Sequence, residues 1–147
     1  MTQSVVSASL REKTVENSTF RLLSYRIPTV SIEMDDTFPT GEEKLQFTVK
    51  PEYAVDPKNT RRASVRLVVG ATSESGRFKG LVEIRGVFEA DEAMIDEVFS
   101  ALCNVNGPAI LYPYARALFS TITAQSGVRP MILPVVNFQG TKQGPRE

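Results

Sequence analysis

This sequence predicts an α+β domain: a four-stranded antiparallel sheet with a kinked helical region packed on one side. Three observations carry that expectation. Between Phe20 and Phe88, four successive runs alternate apolar and polar residues, with turn signals and no helical stretch between them. From Asp91 to Ile122 the apolar spacing lengthens to the period of a helix. A chain of 147 residues, 41% hydrophobic and 23% charged, suits a single core and a single domain.

Residues 1–17 are polar, follow no steady period and read as a flexible arm, so the domain is expected over 18–138. In Phe20 to Met34, Leu23, Tyr25 and Ile27 alternate, as do Val30, Ile32 and Met34. The two sets are out of phase across Pro28, which calls for a bulge or break there. Asp35 to Glu43 is a connection. Leu45, Phe47 and Val49 mark a second strand that runs on toward Val55, and Asp56 to Asn59 is a turn. Ala63, Val65, Leu67 and Val69 mark the third strand, Ser73 to Gly76 a hairpin, and Phe78, Val82, Ile84 and Phe88 one face of the fourth. Gly80 and Gly86 share that face, where another backbone would come close.

Asp91 is the expected cap of a first helix carrying Met94, Ile95, Val98, Phe99, Leu102 and Val105. Asn104 to Gly107 interrupts it. A second helix opens at Gly107-Pro108 and carries Ile110, Leu111, Tyr114, Ala115, Leu118, Phe119 and Ile122, with Pro113 bending it. Ser126-Gly127 ends this helix. Met131 to Val136 is an apolar run that Pro130 and Pro134 bar from a central strand, so it is expected as extended backbone over a surface. Residues 139–147 read as a disordered tail.

Composition excludes several function classes. Seventeen basic residues balance seventeen acidic ones, which argues against nucleic acid as the main partner. Without histidine there is no His-dependent triad and no His-ligated metal. Nothing pairs a nucleophile with a base and no glycine-rich loop opens a helix after a strand, so no enzyme, cofactor or metal is expected. No apolar run reaches the ~20 residues needed to span a bilayer, and Met1 to Leu10 is no secretory signal. Lone Cys103 reads as a core residue in a reducing cytosol, and a cytoplasmic location follows. Lys58, Arg61, Arg62 and Arg66 lack interleaved aromatics and read as a solvated face.

Two motifs remain. Leu111-Tyr112-Pro113-Tyr114-Ala115-Arg116 is followed by Leu133-Pro134-Val135-Val136-Asn137-Phe138. Taken alone, the first is a helix packed on a sheet, with Arg116 satisfying carbonyls or a carboxylate. The second is either a core-covering loop or one wall of a groove. Together, at this spacing, they resemble the SecB family of preprotein-export chaperones. The likeness runs more loosely from Thr19 to Phe138.

That resemblance implies a holdase that keeps unfolded polypeptides or preproteins from folding without ATP. It implies a client groove lined by Phe38, Pro39, Tyr53, Val55, Met131, Ile132, Leu133, Val135 and Phe138. It also implies a homotetramer built as a dimer of dimers, its interfaces falling on Val82, Ile84, Leu111, Tyr114, Leu118 and Phe119. Family members continue past the Asn-Phe pair into a helix over the groove and an acidic tail. Here nine residues follow Phe138, two of them glycines and one a proline. The family's SecA motor docks on acidic residues of the exposed sheet face. This chain keeps Glu33 and Glu83 but has Thr29, Lys79 and Leu81 at other contact positions, so weak or no SecA binding is expected. Two rivals stay open: a SecB-like chaperone dedicated to the antitoxin of a toxin–antitoxin pair, and a structural or adaptor subunit that binds one folded partner.

Overall fold

The computed structural model describes residues 19–38 and 43–140. The expected arm at 1–17, Pro39 and the expected tail beyond Gly140 lie outside the described residues. Four strands, β1 (Phe20–Met34), β2 (Leu45–Val55), β3 (Arg62–Ser73) and β4 (Phe78–Ala90), precede one helix, α1 (Asp96–Gln125), and a short 3-10 turn at Phe138–Gly140. The sheet is antiparallel, in the order β1-β4-β3-β2. β1 and β2 are its edges, and each holds a proline, Pro28 and Pro51, where a missing donor breaks no central ladder. The register between β1 and β4 shifts at the expected place, between Arg26 and Thr29, and also between Leu22 and Ser24.

The β3–β4 hairpin turns through Gly76 at φ 78°, with the Gly76 N–H donating to the Ser73 carbonyl at 2.9 Å. This hairpin sets which residues face inward. Ala63, Val65, Leu67, Val69 and Ala71 lie opposite Phe88, Gly86, Ile84, Val82 and Gly80, and all are buried beneath α1. Phe20 stacks on Phe88 at 5.0 Å and meets Phe99 edge-on at 6.0 Å, tying β1 and the start of the helix into the same core.

The expected interruption at Asn104 to Gly107 does not occur, because α1 runs unbroken for 30 residues with Pro108 and Pro113 inside it. Its buried stripe recurs every four residues, at Phe99, Cys103, Gly107, Leu111, Ala115, Phe119 and Thr123, with Pro108 and Tyr112 buried beside it. Burying Phe99, Leu111 and Phe119 contributes about 1.5–3 kcal/mol each. Together they are of the same size as the cost of the two interior prolines, about 3 kcal/mol each. Three glycines let the layers approach. A Cβ on Gly80 would meet the Phe119 ring at 2.8 Å, one on Gly86 the Leu111 Cδ2 at 2.8 Å, and one on Gly107 the Val65 Cγ2 at 2.8 Å. What approaches Gly80 and Gly86 is therefore a helix side chain, not the backbone expected there.

The helix cap differs as well. Ile95 takes the cap position and makes no side-chain cap bond. Asp91 instead pairs with Arg21 at 2.7 Å. Arg61, in the turn just before β3, donates to the Asp91 carbonyl at 3.3 Å, to the Met94 carbonyl and to the Asp96 carboxylate.

Candidate client-binding surface

After α1 the chain returns along the helix as extended backbone, and three helix side chains hold it. Buried Thr123 donates its hydroxyl to the Phe119 carbonyl at 2.9 Å and accepts the Met131 N–H at 2.9 Å. Arg116 Nε donates to the Leu133 carbonyl at 2.9 Å. The Tyr112 hydroxyl donates to the Pro134 carbonyl, and its ring meets Phe138 edge-on at 5.8 Å. The two sequence motifs occur together because the donors of one satisfy the carbonyls of the other.

Held in this way, the segment has two faces. Met131, Leu133 and Phe138 point into the core, Leu133 at 0% exposure. Ile132 at 63% and Val135 at 85% point outward. Leu133 therefore covers the core, the loop reading that the residues left open, and it offers no surface to a client. Ile132 and Val135 are the accessible members of the expected groove. Phe38 is also turned inward, tilted on Phe78 at 5.4 Å. Its N–H donates to the Asp35 carbonyl at 2.9 Å, and Arg77 donates to the Thr37 carbonyl at 2.6 Å, fixing the turn after β1. Tyr53, exposed, and Val55, half-buried, lie on the inner face of β2 opposite Val65 and Ala63.

Four residues expected at oligomer contacts prove to be core. Val82, Ile84, Leu111 and Phe119 are fully buried between this chain's own sheet and helix, so no side-chain surface is left for a second copy. Tyr114 is exposed and Leu118 half-buried. Tyr114 meets Tyr25 of β1 at 4.5 Å between ring centroids.

On the outer sheet face Glu33 is exposed, but Glu83 is only 7% exposed. Arg66 and Arg85 each donate to Glu83 at 2.7 Å, and Thr29 donates at 3.2 Å. Those arginine bonds hold its carboxyl down at about 2. Glu83 is thus spoken for within the chain and presents little charge to a basic partner. Cys103 is buried and its thiol is pushed up to about 12 by desolvation, which keeps it protonated and inert. No helix among the described residues is long and apolar enough to cross a membrane.

Arg116 satisfies a carbonyl, as one of the two expectations for it had it, whereas sequence reasoning missed Tyr112 and Thr123 as tethers. The spacing of the three along one helix side was the available signal, but the backbone groups that Thr123, Arg116 and Tyr112 meet, the Met131 N–H and the Leu133 and Pro134 carbonyls, lie 8, 17 and 22 residues away in sequence.

Comparison with known proteins follows the same lines. Residues 16–143 match the family described as preprotein translocase subunit SecB. An uncharacterised protein of Methanocaldococcus jannaschii is 49% identical over 108 residues, covering 69% of each chain. The protein-export protein SecB of Ehrlichia chaffeensis is 26% identical over 123 residues, 80% of this chain and 66% of that one. Among solved structures, the SecB-like chaperone Rv1957 of Mycobacterium tuberculosis, in complex with a ChAD peptide from the HigA1 antitoxin, superposes with a TM-score of 0.66. It is 17% identical, over 81% of this chain and 91% of that one. A four-stranded antiparallel sheet backed by one helix, and a helix motif bonded to the extended segment that follows it, are thus found in a chain that belongs to the SecB family.

Proposed function

We propose that this protein is an ATP-independent holdase that binds non-native polypeptide along the extended segment after α1. One observation carries this reading: an apolar stretch is pinned by side-chain bonds to its carbonyls so that Ile132 and Val135 stand in water. Isolated exposed aliphatics are ordinary, but a fixed apolar ledge is not. Client side chains that leave water for Ile132 and Val135 supply the affinity. Each site is weak, and several sites on one oligomer add avidity.

The oligomer we infer is a homotetramer. Ile95 at the cap of α1 and Val98 in its first turn, with Tyr114 and Leu118 further along, are the apolar side chains that a second copy would cover. SecA binding is weak or absent in this reading, because Glu83 is neutralised by Arg66 and Arg85.

A second reading is a chaperone dedicated to one antitoxin, which the likeness in fold to a chaperone holding an antitoxin peptide favours. Titrating several unrelated unfolded proteins distinguishes the two. The general holdase binds them all, whereas the dedicated chaperone binds one antitoxin segment. A protein indifferent to every unfolded chain is an adaptor subunit, and the proposal fails.

A further inference from the structure

The face of the sheet turned away from α1 carries a row of side chains that the client surface does not use. Strand register places Arg26, Arg85, Arg66 and Glu52 side by side across β1, β4, β3 and β2. With neighbouring strands about 4.8 Å apart, three guanidiniums fall within roughly 10 Å of one another. Directly opposed like charges repel. Arg66 and Arg85 are relieved by Glu83, and Arg66 also by Glu52. Arg26 is exposed and has no carboxylate partner among the described residues.

The next row is built of small side chains, with Val87 opposite Ser64 and Ser64 opposite Ala54. Arg62, paired with Glu89, closes its far side. Short side chains between two lines of long ones leave a trough across the strands. It appears as two adjoining clefts, of about 260 Å³ beside Arg66 and Arg85 and about 370 Å³ beside Arg62 and Val87, which share Ala54 and Ser64.

We propose that this trough is a second docking site, separate from the client surface, and that it takes an acidic polypeptide segment laid across the strands. Guanidinium forks bind carboxylates in pairs of parallel bonds, and Arg26, without a carboxylate partner among the described residues, supplies the anchor. Val87 and Ala54 on the floor accept small apolar side chains between the acidic ones. Nucleic acid fits less well. By strand register no aromatic side chain among the described residues belongs to this face, and Tyr53, which borders the first cleft, is in the opposite set, so a base finds no stacking platform here. Glu52, Glu83 and Glu89 interrupt the track that a continuous run of phosphates would follow. A peptide can place its carboxylates only where the guanidiniums are.

The test is a titration of the full chain with a fluorescein-labelled twelve-residue peptide repeating Glu-Ser-Leu, read by anisotropy at low and high salt. A peptide with Lys for Glu and a twelve-nucleotide RNA serve as competitors. Arg26→Glu alters an exposed charge that has no carboxylate partner among the described residues, and Ser64→Tyr fills the exposed trough floor. The expected result is salt-sensitive binding of the acidic peptide that weakens roughly tenfold in either variant. Val135→Asp, on the client surface, leaves it unchanged. The proposal is overturned if the acidic peptide does not bind, if both variants bind it as the parent does, or if the lysine peptide binds equally. It is also overturned if RNA binds more tightly and responds to the same variants, which would make the trough a nucleic-acid site. An oligomer size that changes in Arg26→Glu would likewise overturn it, by placing a second copy on this face.

Discussion

Arg116 donates its Nε hydrogen to the Leu133 carbonyl at 2.9 Å, and that bond orients the whole segment after the helix. It turns Leu133 into the core and leaves Ile132 and Val135 outside. A charged donor to a carbonyl contributes about 1.5–3 kcal/mol, more than a neutral bond. Arg116→Ala should therefore lower unfolding stability by about that much. Hydrogen exchange should rise at residues 131–136 before it rises in the sheet.

Gly107→Ala should destabilise the protein, against the ordinary rule for helices. In an open helix the change gains about 1 kcal/mol. Here the new methyl meets Val65 Cγ2 at 2.8 Å, and Val65 is fully buried in a central strand with no room to give. Overpacking of that kind costs about 1–3 kcal/mol. A lower urea midpoint with an unchanged slope is the expected outcome, and a higher midpoint would mean that the helix lies less close to the sheet.

Glu83 makes stability depend on acid. Hydrogen bonds from Arg66 and Arg85 hold its carboxyl at about 2, below its ordinary 4.5. A depressed folded value means the contribution is fully present above about pH 4.5 and lost as pH falls from there toward 2. Glu89, held low by Arg21 and Arg62, acts in the same direction. Unfolding stability measured by denaturant should fall through this window. Glu83→Gln should be less stable at neutral pH and show a shallower fall.

Assembly should depend on the outer side of α1. Tyr114 packs on Tyr25 at 4.5 Å yet stays exposed, and Val98 lies on the same helix, also exposed. Val98→Lys with Tyr114→Lys should reduce the mass seen by light scattering while leaving far-UV dichroism intact. A stable monomer for the unaltered protein at micromolar concentration would contradict the tetramer.

What the sequence showed and what it hid divide along physical lines. The four strands were legible because the helix covers one face of the sheet, which stamps a period of two on Ala63 to Val69 and on Phe78 to Phe88. The unbroken helix was not legible. Gly107 and Pro108 read as a stop, and only the buried contact with Val65 makes glycine the right residue there. The parity of Met131 to Val136 was hidden too. Apolar residues occupy both faces, so nothing local says whether Leu133 or Ile132 points inward, and the bond from Arg116 decides it. Glu83 was placed on the outer face, but its neutralisation depends on register. The hairpin at Ser73–Gly76 puts Arg66 opposite Arg85, with Glu83 two residues along β4, and that was the signal to follow.

Ile132 and Val135 are the proposed place where client binds, and a permanently unfolded protein tests this most directly. Reduced and alkylated lactalbumin titrated into the full chain should bind, and the Ile132→Asp/Val135→Asp variant should bind it about tenfold or more weakly. Losing two apolar contacts worth about 1.5–3 kcal/mol each when fully buried supports at least that change. Both side chains are exposed, so dichroism and oligomer size should stay as in the parent. Equal binding by parent and variant, or no binding by the parent, would contradict the assignment of this surface.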